Sequence, residues 1–299
     1  MLKWIYKFNE WRHQFYQGYP KVYNIVSLAS IIFWVLLFKS MVLDANNIPT
    51  GSMIPTLKIG DFLFVNKMRY TLHLPFSDKH LVRLDIPRRG DIVTFTPPDD
   101  PNLNGKTLVK RVIGVGGDTV EVKDDEITVN GVPYDVHLEE NLSILDDMDY
   151  PPLIHCITKN DLDLFKEKIV DPKSRAVVRE HFILKQNLEK IKRKPLECRY
   201  MISDHDYMRN PPTKFVIPEG KYMVMGDNRD NSDDSRRWGF VDINDIHGKV
   251  FLVYFSVDWG SRYRLESEPM NPFLSLLNVI TGRSKNVSVR WDRVGTRVY

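Results

Sequence analysis

The sequence predicts a mainly β protein: an antiparallel β-sheet core, interrupted by one inserted region and preceded by one membrane-spanning helix. Three observations support this: an apolar segment at residues 22–43, short β-type runs from residue 61 onward, and a long polar stretch that separates two groups of these runs. With 42% hydrophobic residues among 299, the chain can bury a substantial core. These changes in composition and pattern divide the chain into residues 1–45, 46–136, 137–213 and 214–299.

Residues 22–43, VYNIVSLASIIFWVLLFKSMVL, carry one charge, Lys39, and exceed the roughly 20 apolar residues that span a bilayer core. A cleaved signal peptide is disfavoured, because its apolar region is typically ~7–15 residues and ends at an A-x-A-like site. Basic residues stay on the cytoplasmic side of a span. The N-terminal flank holds Lys3, Lys7, Arg12 and Lys21 against Glu10, and the other flank opens with Asp44. We expect an uncleaved anchor with a cytoplasmic N-terminus and the rest of the chain outside the cytoplasm.

The overall charge argues against one class of partner. The chain has 42 basic and 39 acidic residues, a net charge of +3, and no basic run interleaved with aromatic residues. Nucleic acid is therefore not an expected partner.

The runs that follow the span are typical of an antiparallel sheet. They include DFLFVNKM, GDIVTFTP and TLVKRVIGV before the polar stretch, and KYMVMGD and GKVFLVYFSVD after it. Asn130 and Gly131, between EITV and VPY, predict a hairpin with a type I′ turn.

Residues 137–213 are interpreted as an insert of α+β or irregular structure, with helical periodicity over residues 180–192. The favoured interpretation is a solvated surface excursion without chemistry, since loop insertions are tolerated at low cost. Cys156 and Cys198, both in this insert, are the only cysteines. A disulfide between them is permitted outside the cytoplasm, and the sequence leaves it open.

The stretch IPTGSMIPTL, residues 48–57, is the first candidate for chemistry. Pro49, Gly51 and Pro55 exclude a helix interior or a plain strand, so Ser52 lies on a shaped loop that suits a nucleophile. Neither G-x-S-x-G nor S-x-x-K surrounds it, and no histidine lies in a stretch that resembles an active site. Its base must come from elsewhere in the chain.

Lys110, in the apolar run TLVKRVIGV, is the candidate base. Strand alternation places it on one face with Leu108 and Val112, which predicts that Lys110 points inward and Arg111 outward. Burial can lower the pKa of a lysine from its usual ~10.4 by up to ~3–5 units, enough to make it a base. The alternative is an edge-strand lysine that points into water.

The third stretch, GDNRDNSDDSRRWGFVD at residues 226–242, is rich in aspartate. A calcium loop of the EF-hand type is excluded, because the template that starts at Asp230 has Ser235 where glycine is needed and Val241 where glutamate is needed. A plain Asx-rich turn is the alternative. For a serine/lysine site the segment offers the Ser232 hydroxyl to orient an amine. Asp234 and Arg236 would fix the loop as an ion pair.

Together these stretches resemble the bacterial type I signal peptidases, membrane-anchored serine peptidases. The resemblance implies the signal-peptidase-type β fold, with Ser52 as nucleophile, Lys110 as general base and Ser232 orienting the lysine. Asp234 and Arg236 would support the loop. Thr50 stands where the family usually has a serine whose hydroxyl joins the oxyanion hole. Acyl transfer without a metal or cofactor is implied.

The resemblance also implies the substrate and the place of action. Substrates would be exported preproteins with small side chains at the −1 and −3 positions, cut at the outer face of a bacterial inner membrane. The bilayer would contact apolar stretches at residues 62–64 or 70–76, or Trp259 and Trp291, although ordinary strand core explains the two stretches equally well.

Two alternatives remain. A self-cleaving repressor-like peptidase shares the serine/lysine pair but is cytoplasmic, which the predicted span argues against. An inactive membrane-anchored β module that binds peptides is disfavoured because Ser52 and Lys110 are present together.

Overall fold

The structure is a computed structural model of the 299-residue chain, and Cys156, Cys198 and Trp259 lie outside the residues that it describes. The described residues are 16–77, 80–98, 105–123, 126–140, 162–186, 213–258 and 288–299, with 7, 10, 11 and 190. Antiparallel strands dominate them, which confirms the mainly β fold class.

The predicted apolar span is a helix. α1 (Pro20–Met41) has 22 residues, none of them buried, and is long and apolar enough to cross a bilayer. At 1.5 Å per residue its length is roughly 33 Å, against a hydrocarbon core of about 30 Å. Proline suits its first position, where no helical partner awaits a backbone N–H. Strand β1 (Leu43–Asn47) follows after a single residue, so the helix leads directly into the sheet.

The main sheet carries the core. Its strands run in the order β1-β2-β16-β5-β6-β14-β15, and every neighbouring pair is antiparallel. Besides β1 they are β2 (Asp61–Asn66), β5 (Ile92–Phe95), β6 (Leu108–Val115), β14 (Lys221–Met225), β15 (Val241–Asp242) and β16 (Ile246–Asp258). The short strands β17 (Ser288–Val289) and β18 (Thr296–Arg297) also pair with β16.

The 13-residue strand β16 bends within the sheet. Its register against β2 shifts between Val250 and Leu252 and again between Val253 and Phe255, which marks bulges or irregularities. Bulges increase the local twist of a strand. The bending lets one strand pair with β2 and β5 along its length and also with the two short strands near the C-terminus.

Three smaller sheets complete the described fold. β3 (Thr71–His73) pairs with β4 (His80–Arg83); β7 (Thr119–Lys123), β8 (Glu126–Val129), β9 (Val132–Pro133) and β13 (Thr213–Val216) form a four-stranded sheet; and β10 (Asp135–Leu138), β11 (Leu162–Val170) and β12 (Val177–Gln186) form a three-stranded sheet. Asn130 and Gly131 join β8 to β9 with φ of 51° and 75°. Both values are positive, as a type I′ turn requires, so the predicted hairpin is confirmed.

The helical periodicity expected over residues 180–192 is wrong for residues 180–186, whereas Lys190, the other described residue of this range, is helical. Residues 180–186 lie in β12, which pairs antiparallel with β11 over nearly its whole length. Ile183 and Leu184 are both fully buried by this hairpin. Cross-strand pairing and burial, which depend on residues far away in sequence, override the weak local preference.

A cluster of buried apolar side chains lies directly beneath the Ser52 turn. Met53 and Leu57 insert into it with exposures of 1% and 0%, and Leu63, Val250 and Val298 line it. Because these anchors flank Ser52 in sequence, the core fixes the backbone on which the serine is presented.

Candidate active site

Ser52 lies in the middle of a 3₁₀ turn (Gly51–Met53) that is tied to a distant loop. Asn228 N donates to Ser52 O at 3.1 Å, and Asn228 Nδ2 donates to Gly51 O at 3.0 Å. Backbone and side chain of one residue therefore hold the turn, and the Ser52 side chain remains half-buried.

Lys110 meets Ser52 at hydrogen-bond distance although 58 residues separate them in sequence: Nζ lies 2.5 Å from Ser52 Oγ. Lys110 belongs to β6, which lies between β5 and β14, and its side chain is 4% exposed. The inward orientation of Lys110 is therefore as predicted, and the edge-strand alternative is wrong.

The surroundings of Lys110 weaken its hold on a proton. Burial lowers the pKa of the Lys110 amine to about 8, although the carboxylates of Asp234, Asp233 and Asp227 favour the charged form. A lysine with its ordinary pKa is almost wholly protonated at neutral pH. Here a substantial fraction is neutral at mildly alkaline pH, as a general base must be.

Asp234 and Arg236 lie together as predicted. Arg236 Nε donates to Asp234 Oδ1 at 2.8 Å and Arg236 Nη2 donates to Oδ2 at 2.9 Å. Asp234 also caps the short helix α2 (Ser235–Trp238) and accepts from Gly226 N at 3.0 Å. Burial alone would raise the pKa of the Asp234 carboxyl, but the charge and hydrogen bonds of Arg236 bring it below its usual value. The pair thus links α2 to the start of the 226–232 loop.

Ser232 is buried, and its hydroxyl lies close to Gly226. A methyl group on the Gly226 Cα would lie 2.2 Å from Ser232 Oγ and 2.4 Å from Ser52 O. Gly226 is thus the point where the Ser52 turn and Ser232 converge. Among the described residues no hydrogen bond joins Ser232 Oγ to Lys110. The hydroxyl interacts instead with the Asp234 carboxylate and helps to lower its pKa.

Thr50 precedes the turn in an extended conformation, with φ −127° and ψ 156°. It is exposed, as is Pro49 before it. The backbone that leads to Ser52 is therefore extended and open to solvent.

Arg111 does not point outward as predicted. Its side chain is fully buried, and Nε and Nη2 each donate to a different oxygen of Asp227 at 2.8 Å. Its remaining donors reach Gly90 O and Tyr299 O at 2.9 Å and Thr56 Oγ1 at 3.4 Å. Both faces of β6 are covered here, so simple alternation of buried and exposed residues fails.

The inserted hairpin, β11–β12, is also not the solvated excursion that we expected. Glu167 is fully buried and makes a two-pronged ion pair with Arg229, at 2.8 and 2.6 Å. Leu184 N donates to Asp227 O at 2.9 Å, so β12 joins the backbone of the 226–232 loop. No alternation along the strand marked these contacts in the sequence, because the neighbours Ile183 and Leu184 are both buried.

The apolar stretches divide into core and surface. Phe62 and Leu63 are buried in β2 and are strand core. In contrast, Phe76 on the β3–β4 hairpin is 63% exposed and Trp291 is 71% exposed.

Among the described residues, no group of three or more histidine, cysteine, aspartate or glutamate side chains is arranged to hold a metal ion.

Comparison with known proteins identifies the family. Residues 22–255 match the family model described as signal peptidase, peptidase S26. A curated relative, signal peptidase I of Pseudomonas aeruginosa, is 34% identical over 241 residues, covering 77% of this chain and 71% of the relative. Signal peptidase I of Aquifex aeolicus is 34% identical over 272 residues, covering 86% of this chain and 92% of the relative. The family match includes every residue of the candidate site, and the chain belongs to the signal peptidase family, peptidase S26.

Proposed function

We propose that this protein is a membrane-anchored serine endopeptidase that removes signal peptides from exported preproteins, with Ser52 as nucleophile and Lys110 as general base. The observation that carries the proposal is the 2.5 Å approach of Lys110 Nζ to Ser52 Oγ, made by an amine whose pKa burial lowers to about 8. A nucleophile and a base within hydrogen-bond reach are the requirement for this chemistry.

The chemistry would proceed by acyl transfer. Neutral Lys110 takes the proton of Ser52 Oγ as the oxygen attacks the scissile carbonyl carbon, and the amine then returns the proton to the departing amino group. The Ser52 backbone N–H and the Thr50 hydroxyl are assigned to the oxyanion. A water molecule, deprotonated by Lys110, then attacks the acyl-enzyme carbonyl carbon. The bond to Ser52 Oγ breaks, Lys110 returns the proton to Oγ, and the signal peptide leaves with a new C-terminal carboxylate.

Three residues would support the pair. Ser232, buried beside Gly226, is assigned to orient the Lys110 amine. Asp234 and Arg236 would hold the loop that carries Ser232, through the bonds to Gly226 and α2 described above.

The substrate would bind as an extended segment beside the exposed residues that precede Ser52, with small side chains at the −1 and −3 positions. Extended peptides gain affinity from backbone hydrogen bonds, and shallow pockets for alternate side chains supply the specificity. The extended, exposed Thr50 supports this placement.

The membrane would place the enzyme where its substrates emerge. α1 would cross the bacterial inner membrane with the N-terminus in the cytoplasm, and β1 follows it so closely that Ser52 stays near the outer membrane face. The exposed Phe76 and Trp291 are assigned to contact the bilayer at that face. The exposed Leu74, Leu81 and Val82 of the β3–β4 hairpin extend the apolar surface around Phe76.

The dyad is tested by cleavage of a synthetic preprotein with the full chain in detergent. We expect Ser52→Ala and Lys110→Ala each to lower kcat by roughly 10³-fold or more, since each removes one half of the nucleophilic pair. Lys106→Ala is the matched control, because Lys106 is an exposed lysine shortly before β6. Undiminished cleavage by either variant would contradict the assignment of Ser52 and Lys110 as nucleophile and base.

Lys110→Met should give a more stable protein at pH 7 than the wild type. The pKa of Lys110 falls from 10.5 to about 8 on folding, so the native state disfavours the charged amine. Burying the charged amine lowers the free energy of unfolding of the wild type by up to about 3 kcal/mol. This loss is fully present below pH 8 and disappears as the pH rises toward 10.5. Thermal unfolding in detergent between pH 6.5 and 10 measures it, with Lys106→Met as control. A difference that does not shrink as the pH rises would contradict the buried amine.

Gly226→Ala should lower kcat by at least ~10²-fold while leaving the fold intact, because a misplacement of about 1 Å can cost this much. The added methyl would lie 2.2 Å from Ser232 Oγ and 2.4 Å from Ser52 O, so one of the two must move. Gly18→Ala is the control, since nothing lies within 4 Å of a methyl there. A wild-type kcat in folded Gly226→Ala would show that this convergence is not needed.

The Thr50 hydroxyl is tested by two substitutions of similar size. Thr50→Val keeps the shape and removes the hydroxyl, so kcat should fall by ~10²-fold or more, as for the loss of one oxyanion donor. Thr50→Ser keeps the hydroxyl and should retain most of the activity. Equal rates for the two variants would remove Thr50 from the oxyanion hole.

A further inference from the structure

A group of buried charged side chains lies behind the candidate site and takes no part in the proposed reaction. Arg111 pairs with Asp227, and Arg229 pairs with Glu167, each through two hydrogen bonds of 2.6–2.8 Å. His181 lies between the two acids, with Nε2 at 3.2 Å from Glu167 Oε2 and 3.6 Å from Asp227 Oδ1. We call these residues the buried charge cluster.

The cluster is buried and balanced in charge. Its arginines and acids are at most 1% exposed, and His181 is 7% exposed. Burial would raise the pKa of the Glu167 carboxyl, but the Arg229 charge and His181 hold it well below its usual range. Burial and the nearby Arg111 charge lower the pKa of His181, which favours the neutral ring. Two positive and two negative charges therefore compensate each other.

Glu167 comes from the inserted hairpin rather than from the catalytic core. It stands directly opposite His181 in the β11–β12 register, so the hairpin presents both side chains together. From the same hairpin Gln186 N donates to Asp230 Oδ2 at 2.6 Å. The hairpin thus reaches the 226–232 loop through side chains and backbone.

The cluster connects to the dyad through the loop. Arg229 Nε donates to Gly226 O at 3.2 Å, and Gly226 is the residue on which Ser52 O and Ser232 Oγ converge. Glu167 occupies the other end of the same guanidinium, at Nη1 and Nη2. The Glu167 carboxylate therefore fixes the orientation in which the Arg229 guanidinium donates to Gly226 O.

We propose that Glu167 is a positioning residue for the Ser52–Lys110 pair, acting through Arg229 on Gly226. It makes no contact with the reacting atoms. It holds the 226–232 loop in the place that positions the Ser52 turn and Ser232. The inserted hairpin accordingly supplies one side chain, Glu167, that supports the geometry of the pair. The inference rests on the proposed function.

Glu167→Gln tests this role in the full chain in detergent. The variant keeps the shape and removes the charge, so Arg229 loses its two-pronged ion pair. The guanidinium is then no longer fixed in the orientation in which Nε donates to Gly226 O. We expect kcat on a synthetic preprotein to fall by ~10–10²-fold with KM within about twofold, because geometry and not substrate binding is disturbed. Glu180→Gln is the matched control, since Glu180 lies on the same hairpin, pairs with Lys166 at 2.8 Å and is 43% exposed. It should leave kcat unchanged.

A second variant separates positioning from stability. Removing one partner of a buried ion pair is strongly destabilising, whereas removing both is often tolerated. Glu167→Gln combined with Arg229→Met should therefore unfold at a higher temperature than Glu167→Gln alone and still have a low kcat, since Gly226 O stays without its donor. A kcat at the wild-type level in the folded double variant, or in folded Glu167→Gln, would overturn the proposal.

The same assay distinguishes this proposal from the proposed function. If the wild type cleaves and Ser52→Ala does not, while Glu167→Gln cleaves at the wild-type rate, only the positioning role fails. Cleavage that survives in Ser52→Ala would instead overturn the dyad.

Discussion

The buried ion pair of Arg111 and Asp227 is the constraint on which the site depends. Arg111 follows Lys110 in β6, and Asp227 precedes Asn228, whose two nitrogens hold the Ser52 turn. The pair therefore fixes the strand that carries Lys110 to the loop that holds the Ser52 turn. A buried ion pair costs desolvation and is tolerable only when its donors are satisfied. All five donor hydrogens of Arg111 have an acceptor: two on Asp227, and the others on Gly90 O, Tyr299 O and Thr56 Oγ1.

Pairing each acid with an arginine also explains how burial can dominate at Lys110. Carboxylates near the amine favour its charged form, and Asp234, Asp233 and Asp227 oppose the effect of burial. Asp227 is neutralised by Arg111 and Asp234 by Arg236, so the field of each acid at the amine is weakened by a cation close to it. The arginines therefore have two effects. They anchor the loops, and they leave the lysine with a pKa of about 8.

Local signals in the sequence predicted the parts of the site that local structure determines. The prolines and glycine around Ser52, the apolar neighbours of Lys110 and the Asn130-Gly131 turn each carry their structural meaning in a few adjacent residues. The buried charges have no such signature. A charged side chain is expected on the surface unless a partner compensates it, and the partner of Arg111 is 116 residues away in sequence while that of Arg229 is 62 away. Arg111 and the insert that carries Glu167 were therefore misplaced for the same physical reason.

The 226–228 loop shows why an insert can become part of such a site. Its backbone is used on two sides: Asn228 N donates to the Ser52 carbonyl, while Asp227 O accepts from Leu184 N in the inserted hairpin. Backbone bonds of this kind form with almost any side chain, so they dock the hairpin without specifying how it sits. The exact position of the hairpin must therefore be determined by groups whose misplacement costs much free energy. A buried charge separated from its partner costs the most. Glu167 meets that requirement, because any shift of the hairpin that separates it from Arg229 leaves two charges buried and unpaired.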